Sequence, residues 1–152
     1  MAVFAPTLYV IAWHLRYGST ISFAGKQVSL PLQWMGTATS VQVSIVKYPH
    51  TLLSGMFPNT GISIGRIKID PGIDDKTVVE NWSKLHAVLS SGTDIVSSSR
   101  NEPNLTCVMK SPKRLPDRIN VSCLAYPTMI HAECFGNVKD IPAFLAIVRQ
   151  LR

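Results

Sequence analysis

Apolar residues recur at every second position through much of this chain, and in two stretches the period lengthens to that of a helix. Ile21 and Phe23, followed across the turn AGKQ by Val28 and Leu30, have the pattern of a hairpin. Pro31 in PLQW should end that strand. The small-residue stretch Gly36 to Ser40 then leads into VQVSIVK, where Val41, Val43 and Ile45 share one face and Gln42 and Ser44 the other. In ISIGRIKID the phase shifts, with Ile62 and Ile64 at even positions and Ile67 and Ile69 at odd ones. A bulge at Gly65 and Arg66 would return all four to one face. Thr93 to Ser98, Leu105 to Lys110, Ile119 to Ala125 and Met129 to Phe135 read as further strands, with SSRNEPN a turn-rich connection after the first.

The helical period appears first in PGIDDKTVVENWSKLHAVLSSG. Asp74 or Asp75 can cap this helix and Gly92 can end it, with Val78, Trp82, Leu85 and Leu89 on one stripe that Val79 and Val88 widen. It returns in DIPAFLAIVRQLR, with Asp140 near the cap, Pro142 in the first turn, and Ile141, Phe144, Leu145 and Val148 on one face. The order of elements predicts an α+β fold over residues 18–152: an antiparallel sheet covered by a central helix and a C-terminal helix. A chain of 152 residues is the usual size of one domain.

Residues 1–17 stand apart. Ala2 to Trp13 carry no charge, and His14, Arg16 and Tyr17 follow. The run is shorter than the roughly 20 apolar residues needed to span a bilayer, and it lacks the basic start and small-residue cleavage site of a secretory signal. Three readings stand: the end of a membrane anchor, a signal-like segment, or an apolar helix packed on the domain. The anchor is favoured because Trp13, Arg16 and Tyr17 are types that flank a membrane interface.

Cys107 and Cys123 lie at equal distances from Leu115 in NLTCVMKSPKRLPDRINVSCLAY. If the flanks pair antiparallel about Leu115, the two thiols face each other from core-facing positions. Either a cross-strand disulfide or a pair of reduced core cysteines would fit. A bridge would favour an oxidising compartment. Cys134, in the following strand, is the odd thiol.

Composition narrows the function classes. At 46% hydrophobic and 16% charged residues the chain should fold. A net charge of +6 invites nucleic-acid binding, but the cations are scattered. The local cluster Lys110, Lys113, Arg114 and Arg118 is broken by Pro112 and Pro116 and has no interleaved aromatics. Nucleic acid is therefore not the expected partner. Tyr48 to Gly61 reads as a long loop, and Leu52, Leu53, Met56 and Phe57 in it are candidate contacts for a protein partner.

Catalytic motifs are incomplete. GISIG fits the serine-hydrolase elbow, but Ser63 lies between two isoleucines that continue as strand rather than turning into a helix. HAE, at His131 to Glu133, has the first part of a zinc-deaminase signature without the later thiolate pair. SIVK, at Ser44 to Lys47, lacks its companion motifs. The four histidines show no metal-ligand spacing, and no glycine loop can cradle a phosphate, so no cofactor is expected. NWS, NLT and NVS fit the glycosylation sequon, with Asn81 placed in a helix and Asn104 and Asn120 at strand positions.

From Gly18 onward the element order resembles that of PsbP, DcrB and related small α+β domains. SLPLQWMG, Ser29 to Gly36, resembles their entry strand, and AECFGNVKDIPAFLAIVRQL resembles their closing strand, turn and helix. The resemblance implies a non-catalytic accessory or protein-interaction role, often exported or membrane-attached. A small-molecule site or a hydrolase, with a pocket between sheet and helices, is the alternative.

Overall fold

The computed structural model describes residues 5–47, 60–88 and 95–152. The candidate contacts Leu52, Leu53, Met56 and Phe57 lie outside the described residues. In chain order the elements are α1 (Ala5–Tyr17), β1 (Thr20–Phe23), β2 (Lys26–Ser29), β3 (Trp34–Ala38), β4 (Gln42–Lys47), β5 (Thr60–Arg66), α2 (Asp75–Val88), β6 (Ile95–Glu102), β7 (Leu105–Pro112), β8 (Arg118–Ala125), β9 (Ile130–Asn137) and α3 (Ile141–Arg149). A short 3-10 turn, Val138–Asp140, joins β9 to α3.

Strands β3 to β9 form one antiparallel sheet in the order β3-β4-β5-β9-β8-β7-β6, and β1 and β2 form a separate hairpin. The fold is α+β, as the periodicity predicts. Ala24 and Gly25 both have positive φ, the geometry that a two-residue hairpin turn needs to match strand twist. One face of the large sheet packs against α1, the hairpin and α3 through Val43, Ile45, Ile62, Ile64, Val121, Ala132, Phe144 and Val148, all essentially inaccessible to water. The other face carries α2, which runs from β5 to the far edge at β6 and seats Trp82 on Val108, Leu124 and Met129.

Several local expectations change. Gly36, Thr37 and Ala38 belong to β3; Gly36 lies under the hairpin, where a Cβ would come within 3.2 Å of Ile45 and 3.4 Å of Ile21 and Leu30, and Thr37 and Ala38 are exposed. No bulge interrupts β5, whose register with β9 runs unbroken from Gly61 to Arg66. The phase shift instead sends Ile67 and Ile69 to the opposite face, beneath Trp82. SSRNEPN is mostly strand, since β6 continues to Glu102 and pairs along its length with β7. Asn104 stands exposed in the turn that follows, at positive φ.

Helix α2 is capped by Asp74, whose carboxylate accepts from the Thr77 amide at 2.9 Å and the Thr77 hydroxyl at 2.8 Å. Its packed stripe is Val78, Val79, Trp82 and His86, while Leu85 and Val88 face water. Asp140 precedes α3 but does not cap it; its buried carboxylate pairs with the Lys47 ammonium and accepts from the Thr60 hydroxyl. The chain end is held by Glu102, which receives Arg149 at 2.6 and 3.0 Å and Arg100 at 2.9 Å.

Helix α1 packs through Val10, Trp13 and His14 and leaves Leu8, Tyr9, Ile11 and Leu15 exposed. Among the described residues no helix is long and apolar enough to cross a membrane.

Candidate functional site

Residues opposite one another in an antiparallel sheet point to the same face. On the α2 face Ser44 stands opposite Ser63, Ser63 opposite Glu133 and Glu133 opposite Ser122. A polar row therefore crosses β4, β5, β9 and β8 beside the ground that α2 covers. The Gln42 amide donates to the Ser63 hydroxyl at 2.9 Å, and the Ser122 hydroxyl donates to Glu133 at a long 3.5 Å. His131 shares this face, with its Nε2 3.7 Å from Glu133 Oε1. Ser63, His131, Glu133, Gln42 and Arg66 line a shallow hollow of about 230 Å³.

The hollow thus joins two motifs that are far apart in the sequence, the serine of GISIG and the His-x-Glu of β9. Their arrangement does not assemble a nucleophile and its base. The hydrogen bond shown for the Ser63 hydroxyl comes from Gln42, and β5 passes straight through the position where a nucleophile elbow would turn.

The two histidines of this face meet beneath α2. Trp82 lies 4.2 Å from His86 and 5.9 Å from His131, and the two imidazoles are 6.0 Å apart between ring centroids. Burial holds His86 below the ordinary imidazole value, helped by the charges of Lys110 and His131. Burial likewise lowers His131, against the opposing pull of the Glu133 carboxylate. Both are therefore neutral at neutral pH. Among the described residues no group of His, Cys, Asp and Glu could hold a metal ion.

At the hairpin end of the same face, Lys110, Asn120 and Phe135 form a second cross-strand row. With Ile95, Pro112, Leu115, Arg118 and Ile119 they line a groove of about 500 Å³. Phe135 is 65% exposed and Leu115 58%. Neither was singled out from the sequence as a contact. The signal for Phe135 was its parity: it falls out of phase with Ile130, Ala132 and Cys134, which puts an aromatic on a strand face otherwise carrying His131 and Glu133. A third cleft, about 590 Å³, lies between α1 and strands β1 and β3, lined by Tyr9, Trp13, Tyr17 and Arg16 among others.

Cys107 and Cys123 are directly paired across β7 and β8 and joined in a disulfide. Both are buried in the apolar core. Cys134 pairs in register with Val121 and is free. Burial, with the nearby Asp140 charge, pushes its thiol up to about 12, so it is a poor nucleophile.

No protein-family model matches this chain, and neither does any curated protein or solved structure.

Proposed function

We propose that this chain is a non-catalytic accessory domain that binds a protein partner in an oxidising, extracytoplasmic compartment. The observation that carries the binding role is the sheet face that the described residues leave open beside α2, where Phe135 and Leu115 stand exposed in a concave site. Large apolar side chains grouped in a groove mark interaction sites more often than scattered ones do. The core disulfide supports the compartment, because such bonds persist where thiols are not kept reduced. The resemblance of the entry and closing segments to PsbP- and DcrB-like domains points to the same class of role. Attachment to a bacterial membrane through the N-terminal segment fits the exposed apolar side of α1, with Leu8, Ile11 and Leu15 available for it.

The test is photocrosslinking in the native compartment from a reactive residue placed at position 135 and, separately, at position 63. A discrete protein adduct from either position is expected. Absence of any protein adduct from both would sink the reading.

A second reading has one observation in its favour: the hollow that collects Ser63, His131 and Glu133, with His131 held neutral enough to accept a proton. A small-molecule site or hydrolase there predicts covalent labelling of Ser63 by a fluorophosphonate, abolished in Ser63→Ala. No such labelling would exclude a serine nucleophile.

A further inference from the structure

The two edges of the large sheet are finished differently. At one edge β3 is five residues long and lies against α1 and β1. At the other, β6 runs for eight residues, and Val96 to Asn101 are all exposed. Glu102 and Leu105 flank a two-residue turn, so they exchange backbone bonds, and bonding to β7 recurs at every second residue, Arg100, Ser98 and Val96. Ser97, Ser99 and Asn101 therefore turn their N–H and C=O groups outward, where among the described residues no strand meets them. Pro112 agrees with this phase: it stands opposite Ile95, at a position of β7 that gives no N–H to β6.

We propose that β6 pairs antiparallel with β6 of a second copy of this chain, about a two-fold axis normal to the sheet. The pairing goes beyond the partner-binding reading above, which concerns the face around Phe135. The devices that keep an edge strand unpaired are missing, since β6 has no proline, no lysine and no bulge. Its one exposed charge, Arg100, is drawn along the strand to Glu102 at 2.9 Å. Side chains select the second copy as occupant. Ser97, Ser99 and Asn101, with Ser83 and Thr106, line a cleft of about 370 Å³ on the α2 side. Thr106 donates to Asn101 Oδ1 at 2.8 Å, which leaves the Asn101 amide hydrogens for a hydroxyl of the second copy. With the axis at Ser99, Ser97 meets Asn101 of the second copy; with the axis at Ser98, it meets Ser99. Either way small polar groups face one another with no like charge opposed. An axis at Arg100 would set two guanidiniums face to face and is excluded by repulsion. A strand that complements itself in this way meets the requirement of a closed two-fold dimer.

The experiment is sedimentation velocity on the full chain across a concentration series. One strand pair lies at the low end of interface sizes, so a reversible dimer is expected at about 100 μM and a monomer below about 1 μM. Each copy carries +6, and salt screens that repulsion, so added salt should tighten the dimer or leave it unchanged. Ser99→Pro removes an outward N–H without taking a bond from β7. The double variant Ser97→Lys/Ser99→Lys sets lysine against lysine at either axis position. Each should weaken association about tenfold or more and keep the parent's thermal midpoint, read on the dilute monomer, within a few degrees. If Ser99→Pro misfolds, the double lysine variant decides. Ser98→Pro, by contrast, should lower the midpoint, because Ser98 bonds β7. A monomer at every concentration would overturn the proposal. So would a dimer that the variants leave intact, which would place the contact elsewhere, for instance on the exposed apolar side of α1. A dimer that salt dissociates would be held by charge and would overturn it too. A midpoint lowered by Ser99→Pro and not by Ser98→Pro would reverse the phase of β6 and remove the outward groups on which the pairing depends.

Discussion

Alternate residues of the same strands build two faces of very different character. On β9, Ile130, Ala132 and Cys134 are buried against α3 and its neighbours, whereas His131, Glu133 and Phe135 look the other way, toward α2 and open water. Strand β5 divides in the same manner, with Ile62 and Ile64 on the closed side and Ser63 on the open one. Three elements, α1, the β1–β2 hairpin and α3, seal the first face, while among the described residues α2 alone covers the second. The difference teaches where free energy and recognition are kept. The closed face holds the main core, whereas the open face can vary its side chains at little cost to stability only outside the patch where α2 seats Trp82 on Val108, Leu124 and Met129.

The sharpest way to break that comparison is to truncate an aromatic on each face. Phe144 is fully buried in α3, so Phe144→Ala should cost about 3–5 kcal/mol, most of the margin of a typical domain. Phe135→Ser, at an exposed position of β9, should change stability by no more than about 0.5 kcal/mol. Urea denaturation of the two variants gives the answer. Comparable losses would mean that Phe135 is a core residue and the open face is closed by something else.

Next in size is the covalent tie within the closed face. The Cys107–Cys123 bridge closes a loop with a sequence separation of 16, for which the chain-entropy account gives about 3 kcal/mol. The Cys107→Ala/Cys123→Ala double variant should lose about that much. Alkylation of the denatured, unreduced protein from its native compartment should modify Cys134 alone. Three modified thiols would show that the bridge does not form there, and would withdraw the main support for an oxidising compartment.

A smaller loss is expected where β5 begins beside the end of β9. A Cβ on Gly136 would overlap the Thr60 side chain, so Gly136→Ala must displace Thr60 from the buried Asp140 carboxylate. Overpacking of this kind costs about 1–3 kcal/mol. A thermal midpoint equal to the parent's would show that Thr60 can move freely and that its bond to Asp140 contributes little.

How much of this could be seen in the sequence follows from the same division. The closed face was legible because strict alternation has one meaning when one side is buried: Val43 with Ile45, Ile62 with Ile64, and the Cys107 and Cys123 register about Leu115 all follow from parity. The open face was not, because a second, partial core obeys no single rule. Ile67 and Ile69 invited a bulge to bring them back to the first face, when a helix on the second face was what they served. The same blind spot rotated the α2 stripe. Leu85 and Val88 fit the period as well as His86 does, and only the position of Trp82 over Leu124 and Met129 selects the histidine. The groove combined residues from four separated segments, Ile95, Lys110, Asn120 and Phe135, and no local pattern announces a contact made by sheet order.

The smallest effect should be the most specific to the open face. His86 and His131 are held below 6.5 in the folded protein, so the unfolded chain binds protons more readily than the folded one once the pH drops toward that value. Stability should therefore fall as the pH goes below about 6.5, and the decline should stop once the folded imidazoles themselves protonate. Lys110 opposes protonation of His86 and Glu133 favours it in both rings, so these are the charged groups facing the pair. Glu102, at the end of the edge strand β6, gives a second window. Its carboxyl is held by Arg149 and Arg100 at about 2, against an ordinary 4.5, so its contribution is lost as the pH falls from 4.5 toward 2. Denaturation midpoints across this range should show two declines. His86→Gln with His131→Gln should flatten the upper one alone, and Glu102→Gln the lower one alone. If the double histidine variant leaves the upper decline unchanged, the imidazoles are not buried beneath α2, and the open face is covered less well at Trp82 than the ring contacts require.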